Sequence, residues 1–85
     1  MTITVYGRSG CGQCEQTKKQ LERKGLSYNE IDIDADSEAR KLVEDSARKL
    51  NPVTVLPMVV IKHGGDVQTW HGFRYDKILA LTKNS

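Results

Sequence analysis

Eighty-five residues are enough for one domain, residues 1–85, and so short a chain buries only about 60% of the surface it exposes when unfolded, which favours a working site on a loop or element end. A net charge of +2, with acidic and basic residues mixed along the chain, leaves no electrostatic footprint for nucleic acid or anionic lipid. The longest apolar stretch, Val53 to Ile61, is broken by Thr54 and Pro57 and falls far short of the roughly 18 residues of a membrane span, and Met1 to Tyr6 lacks the basic-then-apolar build of a secretory signal.

Ile3-Thr4-Val5-Tyr6 is a β-branched and aromatic run that stops at Gly7-Arg8-Ser9-Gly10, the composition of a strand entering a loop. From Gly12 to Lys24 the residues favour helix, with Cys14, Thr17 and Leu21 on one face and Gly25 as the stop. Leu26 to Ile33 predicts a second strand, after which Asp34-Ala35-Asp36-Ser37 turns the chain. Asp36 or Ser37 can cap a second helix, whose apolar residues Ala39, Leu42, Val43, Ala47 and Leu50 recur at helical spacing as far as Asn51-Pro52. Pro57 to Ile61 and Val67 to Trp70 flank Gly64-Gly65, a hairpin signal, and Tyr75 to Lys83 predicts a short closing helix. In the order β-α-β-α-β-β-α, a right-handed crossover makes the first two strands parallel and the hairpin adds an antiparallel pair. The prediction is an α/β fold, a four-stranded mixed sheet flanked by three helices.

With no signal and no span, the chain is expected in the cytoplasm, where two cysteines do not make a disulfide framework. They stand as Cys11-Gly12-Gln13-Cys14, where the first loop turns into the first helix. At a helix N-terminus the unpaired N–H groups and the dipole favour a thiolate over a thiol, which makes Cys11 the expected nucleophile. One helical turn further on, Cys14 lies close beneath it and can resolve a mixed disulfide or close a reducible bridge. A lowered Cys11 pKa raises the thiolate fraction, but nucleophilicity falls with a Brønsted slope of about 0.4 to 0.5, so the larger benefit is a better leaving group when the bridge is reopened. Two other readings stay open: half of a zinc site completed by His63 and His71, or two inert buried cysteines. The histidine spacing is wider than zinc-binding pairs usually show, and the glycine-flanked position before a helix argues against inert burial.

The element order, Cys11-Gly12-Gln13-Cys14 and the stretch Trp70-His71-Gly72-Phe73-Arg74-Tyr75-Asp76 together resemble the glutaredoxin-like branch of the thioredoxin superfamily, over nearly the whole chain. Within that branch the chain is most similar to the NrdH-type redoxins, whose signature reads W-S-G-F-R-P-D, and Gln13 before the second cysteine fits the same group. The resemblance implies a thioredoxin/glutaredoxin-like fold and a thiol-disulfide oxidoreductase with no bound cofactor. It further implies that Cys11 attacks a target disulfide and Cys14 releases the product. Thioredoxin reductase would restore the dithiol, drawing on NADPH, and class Ib ribonucleotide reductase would receive the electrons. Gly12, Gln13, Leu56 and Pro57 are implied as active-site support: Pro57 stands where the superfamily carries a cis-proline, and Leu56 would lend backbone groups to a docked partner strand. Trp70, Gly72, Phe73 and Arg74 are implied as a partner-docking surface, although Trp70 and Phe73 read equally well as core aromatics and Arg74 as an ion-pair partner of Asp76. The chain departs from the pattern at Gly12, where Val or Met is common and glycine adds backbone freedom, and at His71 and Tyr75, where the signature has Ser and Pro. Val55-Leu56-Pro57 replaces the T-V-P of glutaredoxins, and Gln13 replaces an aromatic residue. A glutathione-dependent glutaredoxin is therefore the second expectation, and a zinc-binding or structural adaptor the third. A monomer is expected.

Overall fold

Among the described residues, 1–81 of the computed structural model, seven elements follow in order: β1 (Thr2–Gly7), α1 (Gly12–Arg23), β2 (Asn29–Asp32), α2 (Ser37–Leu50), β3 (Met58–His63), β4 (Asp66–His71) and α3 (Tyr75–Leu79). This is the order the sequence predicts. The sheet runs β2-β1-β3-β4, with β1 parallel to β2 and antiparallel to β3, and with β3 and β4 joined as a hairpin. No helix among the described residues is long and apolar enough to cross a membrane.

Side chains alternate across a strand, so register decides which face each residue serves. Val5 pairs with Val59, Val59 with Trp70, and Ile3 with Ile61, so all five share one face. There Leu21 of α1, Leu26 and Ile78 of α3 close the larger core over them. The opposite parity, represented by Tyr6, Met58 and Val60, meets Ile33 and the α2 residues Ala39 and Val43. Two helices thus cover one face and one covers the other.

The helix ends explain where the elements depart from the predicted bounds. α1 stops as Gly25 takes φ 72°, with Leu26 N–H donating to Leu21 O and Gly25 N–H to Glu22 O, each at 3.0 Å. That left-handed stop carries Leu26 back onto Leu21 in the core. Because Leu26 is committed there, β2 starts only at Asn29, opposite Thr4, although its composition suggested a start at Leu26. Asp36, not Ser37, caps α2: its Oδ1 accepts the Ala39 N–H at 3.0 Å. The buried stripe of α2 is Ala39 and Val43, an i, i+4 pair. Leu42 and Leu50 lie off that line and stay 50% and 55% exposed. β3 begins one residue later than expected, at Met58, because Pro57 has no N–H for the ladder.

α3 covers Tyr75–Leu79 where Tyr75 to Lys83 was expected, and residues 82 and 83 of that expectation lie outside the described residues. Lys24, just past α1, reaches its end: Nζ donates to the carbonyls of Ile78, Leu79 and Leu81 at 3.0, 2.8 and 2.6 Å. A cation on the last carbonyls satisfies acceptors the helix leaves open and complements its dipole. Lys18 makes the corresponding tie on the other side, bridging Glu15 of α1 at 2.8 Å and Glu30 of β2 at 2.6 Å.

Two outcomes follow from these contacts. Lys24→Met, which keeps the stem and removes the donor, should cost about 1 to 2 kcal/mol in urea unfolding, with Lys24→Arg closer to the parent. Tyr28 packs on the larger core and donates to Glu22 Oε2 at 2.6 Å; burial first, then that bond, push its pKa up to about 12 from the ordinary 10.0. A folded-state pKa above the unfolded one means that the contribution is complete below pH 10.0 and is lost as pH rises towards about 12. Alkaline absorbance titration should show one tyrosine ionising late, and Tyr28→Phe should remove that step.

Candidate redox site

The site begins where β1 runs out. After Gly7 the chain turns through Gly10, whose φ of 79° suits only glycine without strain, and reaches Cys11, the N-cap of α1. Cys11 Sγ accepts the Cys14 N–H at 3.1 Å, filling the capping role usually taken by a side-chain oxygen. Cys11 and Cys14 are joined as a disulfide with their Cα atoms 5.3 Å apart. The two sulfurs are not equivalent: Cys11 is half-buried at the rim, whereas Cys14 is 2% exposed. Thr17, one turn below and fully buried, satisfies its hydroxyl by donating to Gln13 O at 2.9 Å.

Cys14 presses on β1 itself. A methyl group at Gly7 would stand 2.8 Å from Cys14 Sγ and 3.2 Å from its Cβ, closer than side chains tolerate without a shift. Gly7 was expected only as the start of a loop. Its signal in the sequence is parity: Ile3, Val5 and Gly7 fall on the same inward side, and a glycine at an inward strand position marks a close approach. Gly12 is the contrasting case. It is the first residue of α1, outside the left-handed region, with nothing within 4 Å of where a Cβ would sit, so its conformation does not require glycine.

Two more segments close on the cysteines. Leu56–Pro57 is a cis peptide, the isomer that the resemblance implied, with Pro57 buried and Leu56 half-buried against the α2 side. Three consecutive residues, beginning with the last of β4, hold the pieces together. His71 Nδ1 bonds Val55 O at 2.7 Å, Gly72 N–H donates to Pro57 O at 2.8 Å, and Phe73 N–H donates to Gln13 Oε1 at 2.9 Å. His71 Nε2 also meets Ser46 Oγ of α2 at 2.8 Å. Beside this junction lies a groove of about 450 Å³ whose walls include Gln13, Val53, Thr54, His71 and Phe73.

The structure gathers Cys11, Gly12, Gln13, Cys14, Leu56, Pro57, Gly72 and Phe73 at one end of the sheet, and Trp70, although mostly buried, lines the same groove as Gln13, Gly72 and Phe73. Trp70 is 4% exposed and belongs to the larger core, because its pairing with Val59 turns it towards α1 and α3. Of the two readings open for Trp70, its burial favours the core aromatic, and the little surface it keeps lines the groove beside the site. Arg74 is exposed and paired with Asp76 at 3.0 and 3.2 Å, and the hydrogen bond from the guanidinium holds the Asp76 carboxyl below its usual range. Arg8 meets Asp34 at 3.1 Å, so its charge is shared with a carboxylate instead of being turned wholly on Cys11.

The alternative zinc site needed His63 and His71 beside the cysteines. They stand at opposite ends of the β3–β4 hairpin, since Met58 pairs with His71 while His63 pairs with Asp66. Both ring nitrogens of His71 are engaged with Ser46 and Val55, and no three His, Cys, Asp or Glu side chains gather as a metal site among the described residues.

The Gly7 contact yields a direct expectation. Gly7→Ala should lower the urea stability of the oxidised protein by about 1 to 3 kcal/mol through overpacking, whereas Gly12→Ala should raise it by up to about 1 kcal/mol.

Comparison with known proteins agrees with this geometry. Residues 3–65 match the glutaredoxin family. The chain is 33% identical over 81 residues to the glutaredoxin-like protein NrdH of Escherichia coli (strain K12), covering 95% of this chain and 89% of that one. It is 35% identical over 81 residues, with 95% and 89% coverage, to the glutaredoxin-like protein NrdH of Salmonella typhimurium. The solved NrdH-redoxin from Escherichia coli superposes with a TM-score of 0.72 at 34% identity, over 95% of both chains. Family match, thioredoxin-like fold and a Cys-x-x-Cys disulfide at a helix N-terminus agree, and the chain belongs to the glutaredoxin family as a glutaredoxin-like thiol-disulfide oxidoreductase of the NrdH kind.

Proposed function

We propose that this chain is a dithiol electron carrier, reduced by thioredoxin reductase at the expense of NADPH and delivering electrons to class Ib ribonucleotide reductase, and that it works as one monomeric cytoplasmic domain of residues 1–85. The observation that carries the reading is the asymmetry of the two sulfurs. Cys11 is reachable and faces a backbone donor, the Cys14 N–H at 3.1 Å, whereas Cys14 is 2% exposed. A hydrogen bond to the charged form favours it, so the same N–H supports Cys11 as a thiolate once the bridge is open. The solved Escherichia coli relative is described as having a thioredoxin-like activity profile. That description supports thioredoxin reductase over glutathione as the upstream donor.

The steps balance as two exchanges. Cys11 thiolate attacks one sulfur of the target disulfide, forming a Cys11–target mixed disulfide and expelling the other target sulfur as a thiolate, which takes a proton from solvent. Cys14, having lost its proton to solvent, then attacks Cys11 Sγ. The Cys11–Cys14 bridge forms and the second target thiolate leaves. The target gains two electrons and two protons; a reductase dithiol reverses the change here with electrons from NADPH. Leu56, next to cis-Pro57, offers backbone groups for an extended target segment to pair with. Gly12 and Gln13 shape the turn, and Gly72, Phe73 and Arg74 border the surface on which the target rests.

NADPH consumption with a model disulfide, comparing thioredoxin reductase with glutathione plus glutathione reductase, tests the assignment. Turnover with thioredoxin reductase alone is expected, with none for Cys11→Ser, while Cys14→Ser should accumulate a mixed disulfide visible by mass spectrometry. Turnover with glutathione alone would place the chain among the glutathione-dependent glutaredoxins, and turnover with neither would remove the carrier reading.

A further inference from the structure

We propose that His71 is a positioning residue that sets the backbone of Leu56 for docking of a peptide substrate, through its Nδ1 bond to Val55 O. The inference rests on the redox-carrier reading and assigns a role to a side chain that this reading leaves unused. Residues 51–57 belong to no helix or strand, so no ladder holds them. Their described backbone ties lie at the ends, where Asn51 N–H donates to Ala47 O at 2.9 Å and Pro57 O accepts from Gly72 N–H at 2.8 Å. Between those ties, Val53 and Val55 are exposed, and the bond from His71 to Val55 O at 2.7 Å is the described hydrogen bond that reaches the middle of the segment.

The chemistry of the ring fits a clamp. A carbonyl oxygen has no proton to give, so Nδ1 is the donor towards Val55, and Ser46 Oγ at 2.8 Å from Nε2 anchors the far side of the ring on α2. His71 is thereby held between a rigid helix and a loop carbonyl one residue ahead of Leu56. Its neighbours Gly72 and Phe73 reach Pro57 and Gln13 through backbone N–H groups, which nearly any residue would supply. Of the three ties, only the one at His71 depends on its side chain.

Two substitutions separate the halves of the clamp. The His71→Asn amide sits near the Nδ1 position and can keep the Val55 bond without Ser46; the His71→Gln amide reaches towards Ser46 and gives up Val55. The prereduced protein is oxidised either by insulin, whose disulfides lie in peptide backbone, or by bis(hydroxyethyl) disulfide, which has no backbone to pair. Rates come from acid-quenched thiol alkylation. The insulin-to-small-disulfide rate ratio should fall about 5- to 10-fold in His71→Gln, the worth of one hydrogen bond, and less than about twofold in His71→Asn. A plain loss of stability would move both variants alike, so equal ratios in the two, or no fall in His71→Gln, would overturn the inference. Wild-type protein that reacts with the small disulfide but not with insulin would overturn it too, leaving the carrier chemistry standing. Wild-type protein that reacts with neither would overturn the carrier reading and this inference together.

Discussion

A sulfur at the start of a helix is useful only if its partner is held still beneath it, and here that hold is the contact between Cys14 and Gly7. The last residue of β1 lacks a side chain so that Cys14 Sγ can lie where a methyl group would come within 2.8 Å. With Cys14 pinned against the central strand pair, α1 begins at a fixed height over the sheet and Cys11 is left at its rim. Leu21, two turns further on, is fully buried in the core that Ile3 and Val5 also line, so the packing that stabilises the domain also orients the disulfide.

The remaining parts of the site are joined by hydrogen bonds from a single short stretch. His71, Gly72 and Phe73 leave β4 in sequence and bind, in turn, the carbonyl before Leu56, the carbonyl of Pro57 and the side chain of Gln13. Three segments distant along the chain are thereby fixed to one another without a large core behind them. This arrangement suits the proposed role, in which the oxidant is a disulfide carried on another protein. A surface site with fixed backbone groups can pair with an extended target segment, and the adjoining groove, with Leu50 and Val53 at its edge, supplies apolar area. The exposed ion pairs contribute little energy of their own; Arg74–Asp76 and Arg8–Asp34 are solvent-accessible and screened by salt.

Much of this was legible in the residues themselves. Element order followed from local signals with a direct physical basis: Gly25 and Asn51 as left-handed helix ends, Asp36 as a cap, Gly64-Gly65 as a hairpin turn. Cys11-Gly12-Gln13-Cys14 was legible as chemistry because spacing and placement at a helix start are local properties. The element bounds that shifted did so through long-range events: β2 lost its first residues to the packing of Leu26, and Lys24 met α3 from the far side of the fold.

What the sequence determined alone was therefore the set of elements and the identity of the reactive pair, since both arise from interactions within a few residues. Tertiary structure decided which side chains serve the site. Strand register placed Trp70 in the core and His71, its immediate neighbour, on the opposite face, where it reaches Ser46 and Val55. It also gave Gly7 its role, because the need for a missing Cβ exists only once Cys14 lies on top of it. A one-residue step along a strand exchanges core for site, and that parity is fixed by pairing with other strands, not by the residue's own chemistry.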